Sequence, residues 1–383
     1  MNIDWSVDQR QLYTQYSDVG REIALNRDRN NVAAGFDRDG WRILADSGFW
    51  KIPIPISQGG SGMGWWDFVA AMEGLAGSVG DLGFLLSIVA HAGALRIISI
   101  QGSSRQIDRW MPVLLAGGVA STAITEERGG SDVARVELSM FHEPGRSVLR
   151  GKKSHITNAP VADLIVAVGR DLALPEKRNI TLFLIDAHNP SVEVADPEMM
   201  LGNSTSPTGD IEFNNVEIDA IAVFGKSGDG LSILYNMISF DRLLYGLISA
   251  AFSDGMLRGA LDFTSRREAF GKSIDNFQYV QDKLVSMKIN MEVSRYISYA
   301  AMQKLIDESP DAILMCSIAK LVGTEGLWES AQNLMQLNGH SGYMLGKISR
   351  IHCDVAGTRI AGGTSDIQKV NIFNQLKKCV REG

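Results

Sequence analysis

The chain has 383 residues, enough for two or three domains around a large core, and its 45% hydrophobic and 21% charged residues are the balance of an ordinary globular protein. A net charge of −7 with no Lys/Arg-rich run argues against nucleic acid as the main partner. Three cysteines without a CxxC pair and six histidines without HExxH or HxH spacing argue against a metal site or disulfide framework, and fit a reducing, cytoplasmic setting.

The N-terminal stretch "MNIDWSVDQRQLY" is acidic and has no apolar region of the signal-peptide kind. Residues 1–118 read as a helical domain. "GWRILADSGFW" and "WWDFVAAMEGLAGS" place apolar residues three and four apart. "LGFLLSIVAHAGALRIISIQG" is apolar nearly all round and predicts a buried helix, with His91 as a hydrogen-bonded core residue. No window carries about 18 uninterrupted apolar residues, so no membrane span is expected.

The period changes after residue 119. "DLIVAVG", "ITLFLID" and "DIEFNNVEID" are short, β-branched and partly alternating, with turn residues between them. They predict a β-barrel or sandwich over 119–226, closed by the glycine-rich hinge "VFGKSGDG". Long helical patterns without internal proline then fill 227–383 and predict a four-helix bundle. The expected class is α+β: helical domain, β domain, helical bundle.

Four stretches could carry chemistry. "AITEERGGSD" (123–132) offers the Thr125 and Ser131 hydroxyls and a Gly129-Gly130 pair that lets a ligand approach the backbone. "GKKSHITNAPVAD" (151–163) reads as strand, turn, strand. "SRREAFGKSIDNFQ" (265–278) puts two arginines before a Phe-Gly turn. "QLNGHSGY" (336–343) is followed by "GGTSDIQKVNIFNQLKK", where Ser365 and Gln368 have capping-box spacing and the helix start suits a phosphate. Each has an ordinary structural reading by itself: a strand end, a turn, a solvated helix end, a plain helix start.

In this order the four stretches resemble the acyl-CoA dehydrogenase family, with its "TEPGAGSD"-like loop, "GxKxWITN", "RxxFGKPIxxFQ" and terminal "EGTSEIQR". The resemblance covers essentially the whole chain and implies an FAD flavoprotein that oxidises the Cα–Cβ bond of an acyl thioester. It implies flavin contacts at Ile124, Thr125, His155 and Thr157, and a carrier or flavin contact at Ser131. It implies that Arg267, Phe270, Gln278, Gln336 and Gly339 meet the FAD of a neighbouring subunit, while Thr364 and Asp366 hold the subunit's own. Shared sites of that kind imply a homo-oligomer, a tetramer or dimer.

The chain departs from the family pattern at the chemistry itself. The "WITN" tryptophan is His155, the arginine of the family's Arg-Asp pair is Cys353, and the basic glutamate of "EGTS" is Gly362. Gly362 keeps the backbone N–H that polarises the thioester carbonyl in the family but has no carboxylate. On the helical pattern "LSILYNMISFDRLLYGLIS", Asp241 falls on the stripe of Leu234, Met237, Ile238, Tyr245 and Ile248, where an acid is costly to bury unless it is paired or used. Arg242 is expected to point elsewhere. "FDRLL" resembles the Glu-Arg pair of isovaleryl-CoA and long-chain members, which implies Asp241 as base and Arg242 on the pantetheine arm. "ITNAPVAD" and "GTSDIQK" resemble the carrier-protein prolyl dehydrogenases.

The expected function is therefore dehydrogenation of an acyl or aminoacyl thioester on an acyl or peptidyl carrier protein, in a biosynthetic pathway. Alternatives are an acyl-CoA dehydrogenase of branched-chain or fatty-acid catabolism, a non-catalytic flavoprotein, and a flavin monooxygenase. An electron-transfer flavoprotein is the expected redox partner, with direct reaction with oxygen as the other route.

Overall fold

The computed structural model describes residues 5–29 and 35–382; the first four residues of the acidic N-terminal stretch and the side chain of Cys379 lie outside what is described. Helices α1 (Val7–Arg29), α2 (Arg38–Asp46), α3 (Trp65–Ala76), α4 (Leu82–Gln101) and α5 (Ser104–Leu115) form the first block. Asp81 caps α4 by accepting from Phe84 N at 2.9 Å, and Gly102 ends it. This helix is long and apolar enough to cross a membrane by length and composition, although 89% of its most apolar window is buried inside the protein. Ser87, His91 and Arg96 break its apolar run, which is why the sequence shows no span. His91 Nδ1 accepts from Ala120 N at 3.2 Å, and burial pushes its pKa down to about 3. It is a neutral core histidine, packed against Trp41 and Trp50.

The β-branched segments pair as one mixed sheet. Its strands are β1 (Ala120–Ala123), β2 (Ser139–Glu143), β3 (Arg146–Thr157), β4 (Leu164–Asp171), β5 (Ile180–Asp186), β6 (Val192–Val194), β7 (Thr208–Glu217) and β8 (Val223–Phe224). The order is β6-β7-β3-β2-β4-β5-β8, with β1 parallel to β4. The β3–β7 register slips between Lys153 and Ile156, and within that slip His155 takes φ 58.

The remaining chain comprises α6 (Gly230–Arg266), the hairpin β9 (Glu268–Ala269) and β10 (Lys272–Ser273), α7 (Gln278–Ile306), α8 (Ala312–Asn338), α9 (His340–Tyr343), α10 (Lys347–Thr358) and α11 (Ser365–Glu382). Helix α8 is the shared member, packing against α6, α7, α10 and α11. Helix α6 also lies against α4, so the two helical blocks meet directly as well as through the sheet. The α6 pattern was read as an apolar stripe, yet nearly every residue from Ser239 to Ser253 is buried, because α4 covers one side and α7 and α8 the others.

The loop after β1 is fixed by a buried ion pair. Lys153 Nζ, with no solvent exposure, lies 2.7 Å from Glu126 Oε1 and donates to Ile124 O at 2.9 Å. Glu126 also accepts from the backbone of Glu137 at 2.6 Å and Leu138 at 3.0 Å. Three donor groups thus make four hydrogen bonds to two carboxylate oxygens and one carbonyl, the condition under which a buried pair is tolerated. Lys153→Met strips the cation and strands the carboxylate. It is expected to cost about 3–5 kcal/mol in urea unfolding, whereas Lys152→Met, at an exposed neighbour, should change stability little.

Candidate active site

A cavity of about 680 Å³ opens where the β domain faces α4, α6, α10 and α11. From the β domain, Ile124, Thr125, Ser131, His155 and Thr157 line it. From the helices come Asp241, Arg242, Gly362 and Thr364. The Glu126–Lys153 pair holds the Ile124–Thr125 wall, and Ser154 N donates to Thr125 O at 2.8 Å. His155 is largely exposed on the cavity rim, where Nδ1 lies 2.7 Å from Glu198 Oε1 and its backbone N–H reaches Asp210.

Asp241 is 9% exposed, and its Oδ1 is buried without a hydrogen-bond partner among the described residues. Burial lifts its pKa well above the carboxylate range, opposed by the positive charges of Arg242 and Arg96. The carboxylate sits against Gly93 of α4, where any Cβ would collide with Oδ1. Arg242 does not point away: it is 4% exposed and lines the same cavity, because the cavity wraps around α6 further than one helical stripe. Its Nη1 reaches Ser317 Oγ at 3.5 Å and its Nε has no hydrogen-bond partner among the described residues.

The vacated carboxylate position is filled from α6. Gly362 has φ +67, and a Cβ there would lie 2.6 Å from Tyr245 Cε2. Tyr245 stands one turn beyond Asp241 and is 6% exposed, so its ring takes the space a longer side chain at 362 would need. The capping box expected at Ser365 does not form. Thr364 Oγ1 caps α11 by accepting from Ile367 N at 3.3 Å, and Ser365 Oγ donates to Glu325 instead, at 2.5 Å. Gln368, fully buried, donates to Gly362 O at 3.1 Å and Gly363 O at 3.0 Å, so the glycine turn is held from inside α11. Lys320 Nζ donates to Arg359 O at 3.2 Å just before that turn.

Other sequence-selected residues lie elsewhere. Arg267, Phe270 and Gln278 are exposed on and beside the β9–β10 hairpin, and Gln336 and Gly339 are exposed at the end of α8. Asp366 is exposed in the first turn of α11 and pairs with Lys369 at 3.0 Å. None of these lines the cavity. Cys353 does line it, while Asp354 accepts from Asn203 N at 2.6 Å and is pushed up to about 6 by burial. Glu126, Lys153 and Gly93 do not stand out in the sequence as site residues, and Gln368, expected in a capping box, holds the glycine turn instead. Only Lys153 carried a local signal: two-residue alternation puts it in step with Leu149, on the inward face.

The residues present fit a flavin beside a thioester. Asn203 Oδ1 and Asn371 Nδ2 are buried, belong to cavity-lining residues and have no protein partner among the described residues. Gly362 and Gly363 present backbone rather than side chains to the cavity at the start of an 18-residue helix.

Comparison with known proteins agrees with this geometry. Family models match in chain order: acyl-CoA dehydrogenase N-terminal domain over 8–118, middle domain over 121–216 and C-terminal domain over 228–377. An L-prolyl-[peptidyl-carrier protein] dehydrogenase of Serratia sp. (strain ATCC 39006) is 30% identical over 345 residues, covering 88% of each chain. A 3-(aryl)acrylate reductase of Clostridium sporogenes (strain ATCC 15579) is 26% identical, covering 94% of this chain and 95% of its own. A solved structure described as PigA with FAD and proline superposes with a TM-score of 0.89 at 26% identity, covering 98% of this chain and 99% of that one.

The Gly362–Tyr245 contact makes a prediction. In an Asp241→Asn background, Gly362→Glu is expected to restore no substrate-driven flavin bleaching and to lower the melting temperature, because the new side chain meets the ring at a positive φ that costs about 1–3 kcal/mol. Adding Tyr245→Ala should make room and recover part of the bleaching. Recovery by Gly362→Glu alone would show that the ring yields.

Proposed function

The chain belongs to the acyl-CoA dehydrogenase family, and from that premise we propose how its own residues divide the work. It is an FAD-dependent acyl-thioester dehydrogenase. The observation that carries the residue assignment is the Asp241 carboxylate, buried in the cavity with nothing but backbone at Gly362.

Asp241 takes the α proton of the thioester on a carboxylate oxygen. Desolvation makes it a stronger base than an exposed aspartate, and with Oδ1 packed against Gly93 the proton goes to the other oxygen. Gly362 N–H polarises the thioester carbonyl, which Gln368 supports by fixing the glycine turn. Arg242 holds the pantetheine arm. A flavin bound here would supply the hydride acceptor for the β hydrogen. Ile124, Thr125 and Thr157 seat its ring, His155 replaces a larger ring at its rim, Ser131 touches the ring or the carrier, and Thr364 and Asp366 hold the same cofactor at the α11 N-terminus. Arg267, Phe270, Gln278, Gln336 and Gly339 meet the cofactor of a neighbouring copy.

A carrier-protein thioester is the proposed substrate, supported by the similarity to the Serratia enzyme and by a small residue at 362 beside a carboxylate on α6. The setting is cytoplasmic and the redox partner an electron-transfer flavoprotein. A homo-oligomer is supported by exposed apolar side chains on α7, Val285, Ile289 and Val293, four residues apart, with Phe270 at 96% exposure. Light scattering on the yellow protein is expected to give a tetramer or dimer; a monomer would remove the shared site.

The functional test mixes the protein anaerobically with acyl-CoA and acyl-carrier-protein thioesters and follows flavin bleaching. Aminoacyl or acyl carrier-protein thioesters are expected to bleach it fastest; preference for coenzyme A esters would favour the catabolic reading. Asp241→Asn should keep FAD and fold but slow bleaching by about 10²–10⁴-fold. Because the base works only ionised and burial raises its pKa, the wild-type rate should fall as pH drops through that pKa. Bleaching by Asp241→Asn at the wild-type rate would make Asp241 structural.

A further inference from the structure

Helix α4 carries a buried cation that the reading above does not use. Arg96 is 8% exposed on an otherwise apolar helix. Its Nη1 donates to Asn236 Oδ1 at 2.7 Å, and its guanidinium lies 5.2 Å from the Phe240 ring centre and 5.9 Å from that of Trp65. Asn236 and Phe240 precede Asp241 on α6, and Gly93, against which the Asp241 carboxylate lies, is one turn before Arg96 on α4. Arg96 and Asp241 therefore share one seam between the same two helices, and Arg96 does not line the cavity. A buried guanidinium needs a compensating anion, and its direct hydrogen bond is to a neutral amide.

We propose that Arg96 is a positioning residue for Asp241: locked in the α4–α6 seam by Asn236, Phe240 and Trp65, its guanidinium favours the proton-accepting, ionised form of the neighbouring carboxyl against the burial that opposes it. The proposal rests on the assignment of Asp241 as base. The other charged and titratable groups around Asp241 do not replace it. On α6, Arg242 lines the cavity and is the larger positive charge acting on Asp241, to which Arg96 adds, and Tyr245 is pushed up, so it stays a neutral phenol. On α4, His91 is neutral. On α8, the Cys316 thiol is pushed up to about 12 and so is also neutral, and Lys320 is turned to Arg359 O. Beyond α7, Glu308 acts on Arg96 and partly offsets its charge. Across the cavity, His155 and Glu198 are paired with each other.

The sign follows from the charges. Removing the Arg96 charge leaves the desolvated carboxyl with one cation fewer, so it gains a proton at higher pH. The test titrates the protonated-carboxyl infrared band assigned to Asp241 by its loss in Asp241→Asn, alongside the pH profile of flavin bleaching. In Arg96→Gln both midpoints are expected to move up by about one pH unit. Asn236→Asp keeps the shape, neutralises Arg96 by pairing it, and should move them the same way even if Arg96→Gln folds poorly. Arg96→Lys should keep both near wild type. If the infrared midpoint stays put in Asn236→Asp and in folded Arg96→Gln, the proposal is overturned while the base assignment stands. If the infrared midpoint moves but bleaching does not depend on Asp241, the electrostatic coupling holds and the base assignment fails.

Discussion

The carboxylate of Asp241 is the constraint around which the rest of the structure is arranged. A lone carboxylate moved out of water costs several kcal/mol even after relaxation. This one has an oxygen without a hydrogen bond among the described residues, in a seam between two helices. Direct pairing would make it a poor base, because a bidentate partner occupies the lone pairs that must take the proton. The arrangement found is a compromise. Two guanidinium groups act on it through space, and neither is hydrogen-bonded to it among the described contacts. Gly93 gives it room, and the closely packed Ser239–Ser253 stretch of α6 offsets the cost of the buried charge.

A glycine at 362 with the carboxylate on α6 has a geometric consequence at the turn. With no side chain at 362, space is available, and the Tyr245 ring takes it. The cavity therefore stays lined on that side without a second acid. The turn itself still has to present its backbone. Gln368 and Lys320 hold the carbonyls of Gly362, Gly363 and Arg359 from two helices, which leaves the glycines little freedom to move away from a bound thioester.

The opposite wall follows the same logic with a paired charge. Glu126 and Lys153 are as deeply buried as Asp241, but every oxygen and the ammonium have partners. They are scaffold, and their effect is to fix the Ile124–Thr125 backbone against which a planar ring can lie. A satisfied buried charge thus stands behind one wall of the cavity and an unsatisfied one lines another, the contrast expected when structure and reactivity are assigned to different residues.

The sequence by itself determined the succession of helical, β and helical blocks, because helical and strand periods are local properties of the chain. It also pointed to Asp241, since an acid within an apolar helical pattern is costly wherever that helix is buried, and to the glycine turn before α11, since turn chemistry is local too. A single apolar stripe does not describe the helix: α6 is buried all round from Ser239 to Ser253, so Arg242 reaches the same cavity as Asp241. Tertiary structure alone decided what surrounds the acid. Arg96 and Asn236 are 140 residues apart in sequence, and the clash that keeps Gly93 a glycine exists only once α4 and α6 touch. The same holds for Lys153 with Glu126 and for Tyr245 with Gly362. A spacing rule reaches across a few turns or one hairpin; burial and unpaired charge depend on which surfaces meet, and that is set by the packing of whole helices.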